Sequence, residues 1–274
     1  MLNQTHTKLS KLGFGEAIKY SFTEFRFLRA SYELTTRIPD AFEFFGDNLF
    51  VLPNPDLKEE QSHNYNLNFN TNITKSNSLS CEINLFYRHT QNFIQQRSVG
   101  IFFSRYENTD DASIKGVETN ILWKGWKNLV ANCSFTLQDL RRINAESSSK
   151  ALENSRISNV PYLFANISVR KDFPKFFKDS VKASVYANYG FTEQFLLYPV
   201  PQNIEPTLFQ KEIAYTDQII PMQQQVDIGI TLTPQKYKLT FNIELLNCFN
   251  QTVYDSFRIQ KPGRFLRLKI NYRL

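Results

Sequence analysis

The sequence predicts an all-β fold: an antiparallel transmembrane β-barrel, present in part as about eleven strands. Three observations carry that prediction. Segment after segment alternates apolar and polar side chains with a period of two, the pattern of a strand with one greasy face and one wet one. The connections run short, long, short, long throughout, as in outer-membrane barrels, where tight turns occupy one end and long loops the other. Aromatic residues gather beside the short turns, where an interfacial girdle belongs.

Taken in order, Ile18, Tyr20 and Phe22 alternate with Ala17, Lys19 and Ser21. Beyond Thr23-Glu24 the pattern resumes as Leu28, Ala30, Tyr32 and Leu34, giving a tight first hairpin. The long connection from Pro39 to Lys58 contains Pro39-Asp40-Ala41-Phe42-Glu43-Phe44-Phe45-Gly46, one helical turn that the glycine stops. Tyr65, Leu67, Phe69 and Ile73 then alternate with the amide ladder Asn66, Asn68, Asn70 and Asn72. A polar turn from Lys75 to Ser78 leads to Leu79, Cys81, Ile83, Leu85 and Tyr87. After a second long connection, Val117, Thr119, Ile121 and Trp123 return through Gly125-Trp126-Lys127-Asn128 as Leu129, Ala131, Cys133, Phe135 and Leu137. Arg141 to Arg156 reads as a polar loop. Leu163, Ala165, Ile167 and Val169 run to the turn Asp172-Phe173-Pro174-Lys175, and Val181, Ala183, Val185, Ala187 and Tyr189 come back. A long loop from Tyr198 to Pro221 precedes Val226, Ile228, Ile230 and Leu232, and Pro234-Gln235 turns the chain into its tail.

The tail is the clearest stretch. Tyr237 to Leu245 is apolar at odd positions and polar at even ones, and Leu266 to Leu274 alternates again after a turn from Asn247 to Pro262. A lipid-facing Arg or Lys at the bilayer midplane costs roughly 2–4 kcal/mol, so Arg267, Lys269 and Arg273 must face inward, and a slip of one residue is not tolerated. Working back from a final strand that runs inward, the turns near Thr23, Asn77, Gly125, Pro174 and Gln235 fall on the periplasmic side. Trp123, Trp126, Phe173, Phe176 and Phe177 lie beside them.

Asn247-Cys248-Phe249-Asn250-Gln251, Tyr254-Asp255 and Pro262-Gly263-Arg264, followed by a terminal alternating strand, resemble the end of the TonB-dependent receptors of bacterial outer membranes. Ala30 to Pro39 (Ala-Ser-Tyr-Glu-Leu-Thr-Thr-Arg-Ile-Pro) and Pro53 to Glu60 (Pro-Asn-Pro-Asp-Leu-Lys-Glu-Glu) resemble that family's barrel signatures, in the expected order. The last residue, Leu274, departs from the family's usual aromatic end. The resemblance implies that residues 1–274 are the C-terminal portion of such a receptor barrel in the cell outer membrane. The implied function is binding and TonB-energised uptake of a scarce nutrient: a siderophore, cobalamin, a metal complex or a glycan. The implied partners are outer-membrane lipid, the small nutrient ligand, a plug domain and an N-terminal barrel half outside this chain, and TonB through that part. An outer-membrane β-barrel enzyme or an adhesin is the alternative, and a soluble lipid-binding β-protein comes third.

Composition narrows these classes. No apolar run is long enough for a membrane-spanning helix, which leaves strands as the means of crossing. The net charge of +6 is spread along strands rather than clustered, with no recognition motif, so no nucleic-acid partner is expected. Cys81, Cys133 and Cys248 sit at apolar parity and read as small lipid-facing hydrophobes rather than as a disulfide or metal site. The start, Met1 to His6, lacks the features of a secretory signal. The first and last strands both run toward the periplasm, so eleven strands closing on themselves would need a parallel seam. A truncated reading frame, or a fragment whose missing half is encoded immediately upstream, is therefore expected.

No enzyme motif appears, and neither a catalytic residue, a cofactor nor a metal site is expected. His63 and His89 are placed nearly opposite each other, at the parity of Tyr65 and Tyr87, which puts both on the outer face. The polar face, with Asn66, Asn68, Asn70, Glu82, Asn84, Glu118, Asn120, Asn132, Ser134, Thr136 and Gln138, would line the interior and meet plug and water. The ligand-binding candidates are aromatic residues of the external loops: Phe42, Phe44, Phe45, Phe102, Phe103, Tyr106, Tyr198, Phe209, Tyr215, Tyr254 and Phe257. Loops on a rigid scaffold carry recognition, and aromatics supply stacking area, although packing within the loops explains them equally well. Arg37, Asp40, Arg258 and Arg264 are candidates for holding the loop bases by ion pairing.

The parity is testable in a complete receptor. Single cysteines at Leu239, Phe241 and Ile243 are expected to react with a lipid-soluble probe, and at Lys238, Thr240 and Asn242 with a water-soluble one. Labelling without that alternation would remove the strand assignment.

Overall fold

The computed structural model describes residues 11–74, 78–100, 102–145, 150–177, 180–210, 216–255 and 258–272. Eleven strands form one sheet: β1 (Phe14–Thr23), β2 (Arg26–Arg37), β3 (Glu60–Thr74), β4 (Ser78–Gln91), β5 (Asp111–Lys124), β6 (Leu129–Ile143), β7 (Leu163–Phe176), β8 (Val181–Thr192), β9 (Gln223–Pro234), β10 (Leu239–Leu246) and β11 (Phe265–Tyr272). Each lies beside its predecessor, every pair is antiparallel, and β1 and β11 are the two edges. The expected strand count and the alternation of short and long connections are both present.

The register joins the alternating segments into continuous rows. Thr71, Cys81, Ile121, Cys133 and Ile167 stand side by side on one face of β3–β7, and Asn70, Glu82, Asn120, Ser134 and Asn166 on the other. A period-two pattern in one strand thus becomes an apolar outer surface and a polar inner surface across the whole sheet. Near the long-loop end the outer face carries a row of Tyr32, Tyr65 and Tyr87, with ring centroids 5.0 and 6.0 Å apart. At the other end Trp123 stands across from Leu79, with Trp126, Phe173 and Phe176 near the turns. Tyr87 to Leu79 is nine residues of one strand, within the roughly 9–11 that a tilted strand needs to cross a bilayer.

Several local expectations are corrected. The hairpin between β7 and β8 does not turn at Pro174: β7 continues to Phe176, with a register shift between Phe173 and Phe176. Proline has no N–H for the ladder, and a bulge accommodates it. Arg141 is not in a loop, because β6 runs on to Ile143 and pairs with β5 up to Asp111. The final hairpin starts at Leu239 rather than Tyr237. Cys248 lies in the turn after β10, not in a strand, and its thiol donates to the Leu245 carbonyl at 3.3 Å. The second long connection is itself a hairpin, Ile94–Val99 with Phe103–Asn108. Residues 75–77 of the second short turn, the serines 147–149 and Arg273 lie outside the described residues.

Gly116 shows how tightly the inner face is filled. It stands across from Phe86, whose ring folds over it. A Cβ there would come within 2.4 Å of the Leu137 carbonyl oxygen and 2.7 Å of Phe86 Cζ, so only glycine fits. At Gly190 the nearest atom to an added Cβ is Asn166 Oδ1, at an ordinary 3.6 Å. Gly116→Val is expected to destabilise the folded protein by roughly 1–3 kcal/mol through overpacking, whereas Gly190→Ala is close to neutral. Urea midpoints of the folded form check this, and equal midpoints for the two variants would contradict the packing described.

Candidate external mouth

The five long connections all leave the same end of the sheet. The first, residues 38–59, is anchored by Arg37, the last residue of β2. Its Nε donates to Glu60 Oε2 at 2.7 Å, and its Nη1 reaches both Glu43 oxygens at 3.0 and 2.8 Å. Glu43 is in turn the N3 residue of helix α1 (Ala41–Phe45). The Asp40 side chain accepts from Glu43 N at 2.9 Å, and Glu43 accepts from Asp40 N at 3.0 Å, a reciprocal capping box. Gly46 ends the helix with φ 66°, as expected from sequence. The other oxygen of Glu60 accepts from Ile94 N at 2.6 Å, so one arginine ties two strand ends, a helix and the second loop together.

Beyond the helix, Asp47 Oδ1 accepts from the backbone N–H groups of Val51, Leu49 and Phe50, which hold its carboxyl below the usual range. Val51–Leu52 then pairs in parallel with Phe103–Asn108, making a three-stranded sheet with the second connection. Phe42 meets Tyr106 edge-on at 6.1 Å, and Asn54 Nδ2 donates to the Tyr106 carbonyl at 2.7 Å. Burial, followed by the charge of Glu43, raises the Tyr106 phenol.

The remaining loops are linked in turn. Gln95 Nε2 donates to the Ser158 carbonyl at 3.2 Å, and Asn159 N to the Leu196 carbonyl at 2.7 Å. Arg142, nearly buried, pairs with Asp110 at 3.3 Å. Arg141 and Arg156 both bind Asp139, at 2.7 and 3.2 Å, and both reach Glu205 of the fourth connection. Tyr162, Leu163, Phe195 and Ile220 form a buried cluster against which Tyr254 packs, and burial pushes the Tyr162 phenol up to about 12. In the last connection Asn247, 2% exposed, donates from Nδ2 to the Gln251 carbonyl and accepts from Gln251 N. Asn250 Oδ1 accepts from Arg264 N at 2.9 Å. The residues behind the family resemblance therefore build this turn. Arg258 donates to the Asp217 carbonyl at 2.6 Å, joining the last loop to the fourth.

The aromatic candidates divide between two parts of this rim. Phe42, Phe44, Phe45, Phe102, Phe103 and Tyr106 lie on the first two connections, with Phe45 and Phe102 the most exposed at 67% and 73%. Tyr198 and Phe209 are exposed on the fourth connection, and Tyr254 is half-buried on the fifth. Tyr215 and Phe257 lie outside the described residues. His63 and His89 stand directly opposite each other on the outer face, ring centroids 6.3 Å apart, and the Tyr32 hydroxyl is 2.9 Å from His63 Nδ1. No group of three or more His, Cys, Asp or Glu suited to a metal occurs among the described residues. The inner wall under the last loop also contributes to the mouth, through Asn166, Asn188, Gln223, Gln225 and Asp227 around a cavity of about 670 Å³. Strand parity could have found these residues, but not the loop that covers them.

The sequence profile described as TonB dependent receptor-like, beta-barrel matches residues 3–244. A search of curated proteins gave no match. Among solved structures, the chain is similar to a copper transporter, OprC (TM-score 0.66, 13% identity, covering 93% of this chain and 38% of that one). It is also similar to the apoprotein form of the FrpB iron transporter of Neisseria meningitidis, F5-1 variant (0.65, 13%, covering 96% and 39%). A third is a mutant of the ferric enterobactin receptor PfeA of Pseudomonas aeruginosa (0.63, 14%, covering 94% and 39%). The chain thus spans about two fifths of the length of these structures. At such identities the likeness shows the fold, while the profile match over most of the chain shows the family. With its apolar outer band, polar inner wall and one-ended long loops, this chain belongs to the TonB-dependent receptor-like β-barrels, a family of outer-membrane transport receptors rather than enzymes.

Proposed function

We propose that these strands form the part of an outer-membrane receptor whose external mouth captures a small nutrient for TonB-energised uptake. The observation that carries the reading is the rim: five long connections at one end of the sheet, joined one to the next by hydrogen bonds and ion pairs, with large aromatic residues left exposed on it. Rigid loops with unspent aromatic surface suit ligand capture. Phe42, Phe44, Phe45, Phe102, Phe103, Tyr106, Tyr198, Phe209, Tyr215, Tyr254 and Phe257 are the proposed contacts. The ligand classes are a siderophore, cobalamin, a metal complex or a glycan, and three of the structural neighbours are named for iron, ferric enterobactin and copper.

The sheet edges support membership of a larger closed barrel. Among the described residues β1 and β11 each have one unpaired edge, and in lipid each unsatisfied backbone group costs several kcal/mol. Both strands run toward the short-turn end, so joining them directly, or to a second copy of this sheet, makes a parallel seam. An odd number of further strands, beginning and ending with the opposite direction, closes the barrel antiparallel. A plug domain inside it would meet the polar wall and supply the coupling to TonB.

Three outcomes follow. Cells lacking the complete receptor are expected to lose growth on one of limiting iron, limiting cobalamin or a single glycan as carbon source, with restoration by the receptor only when TonB is present. Normal growth in every medium would overturn the uptake reading. Replacing Phe45, Phe102 and Phe209 together by Ala is expected to lower uptake at least tenfold with the amount of folded receptor unchanged. The eleven strands reconstituted alone in vesicles are expected to migrate identically on electrophoresis with and without heating. A compact unheated form would show that they close unaided.

A further inference from the structure

The cavity beneath the last loop has a chemistry of its own. Its floor belongs to the inward rows of the sheet nearest the long-loop end: Asn166 lies in line with Gly190 and Gln225, and one row below, Asn132, Ser168, Asn188 and Asp227 form a single line across β6–β9. Its roof is the segment from Val253 to Asp255 together with Lys261. Roof and floor are fastened at Asp227, whose Oδ1 accepts from Asn247 N at 2.7 Å and from Gln225 Nε2 at 2.8 Å. Tyr254 N donates to Gln223 Oε1 at 2.7 Å on the neighbouring row. The covering loop is thus held over the wall by the wall's own side chains.

The three floor asparagines are unspent. Elsewhere on the inner face Asn68 donates to Glu82 at 2.8 Å and Asn64 to Thr35 at 3.1 Å. The side-chain amides of Asn132, Asn166 and Asn188 have no protein hydrogen-bond partner among the described residues. Each offers two N–H donors and a carbonyl acceptor, the complement of hydroxyl groups that both donate and accept. The charged lining is Asp227, Asp255 and Lys261, both signs present with a single cation among them. An anionic metal chelate or a phosphate ester requires an excess of cations, which this lining does not have. Tyr254 adds one aromatic surface, suited to the apolar face of a ring. The volume, about 670 Å³, lies within the range typical of small-ligand sites, roughly 300–1,000 Å³.

We infer that this cavity binds an uncharged, hydroxyl-rich ligand, a neutral oligosaccharide, held by Asn132, Asn166 and Asn188 from the wall and by Tyr254 from the loop. The inference rests on the proposed receptor reading and names the ligand class for it.

The test uses the complete receptor in detergent, titrated calorimetrically with maltopentaose, cellopentaose and xylopentaose, and separately with ferric citrate and ferric enterobactin. Binding of one of the neutral pentasaccharides is expected. Asn166→Leu and Asn188→Leu are each expected to weaken it at least tenfold, and Asn68→Leu, outside the cavity, to leave it unchanged, with heat-modifiable migration confirming a folded barrel in every variant. Silence of all three sugars overturns the inference, whether or not a ferric chelate binds. Sugar binding that both cavity variants leave intact also overturns it. Uptake of a ferric chelate that still depends on TonB would then leave the receptor reading standing. Loss of any TonB-dependent growth phenotype would remove that reading separately.

Discussion

Everything in this molecule depends on backbone hydrogen bonding where water is absent. A strand in hydrocarbon cannot leave its N–H and C=O groups unpaired, so each of the nine interior strands is paired on both sides and, among the described residues, only β1 and β11 of this sheet present an open edge. Because neighbours are antiparallel and adjacent in sequence, each crossing needs only a turn or a loop, and the long loops necessarily collect at one end. The pairing that satisfies the backbone also puts every second side chain in the same environment. The polar wall, the lipid-facing band and the external rim are therefore consequences of one constraint.

The rim is organised by charge above the membrane. Arg37 is the clearest case, since the same guanidinium holds Glu60 on the next strand and Glu43 in the helix, and Glu60 passes the connection on to Ile94. Such charge-assisted hydrogen bonds are stronger than neutral ones and directional, so they fix where a loop leaves its strand. The group of Asp139, Arg141, Arg156 and Glu205 does the same between the third and fourth connections. Aromatic residues left exposed by this scaffold, such as Phe45 and Phe102, are held without being buried.

Two kinds of surface meet at the mouth. The tips of the first two connections are aromatic, whereas the wall beneath the fifth is made of amides and hydroxyls. Tyr254 belongs to both, packing on the buried cluster around Tyr162 while lining the cavity. Asp227 holds that arrangement in place, because it accepts from the backbone at the start of the covering loop.

The sequence by itself determined what repeats. The parity of Leu239, Phe241 and Ile243 against Thr240 and Asn242, the placement of Trp123 and Trp126 near a short turn, the helical turn stopped by Gly46 and the pairing of His63 with His89 all follow from period, propensity and counting outward from a turn. It was less able to place ends and irregularities, where single residues compete with the pattern. The local pattern places Pro174 in a turn, Arg141 in a loop and Cys248 in a strand, whereas Pro174 is accommodated in a strand, Arg141 extends one and Cys248 lies in a turn. The hairpin of the second connection, the parallel pairing of Val51–Leu52 with Phe103–Asn108, and the cavity under the last loop belong to the tertiary structure alone. The parallel pairing joins the first connection to the second across some fifty positions, as Asn54 and Tyr106 do, and no local period encodes such a meeting. The neighbours are chosen only once the ladder has brought the strand ends together.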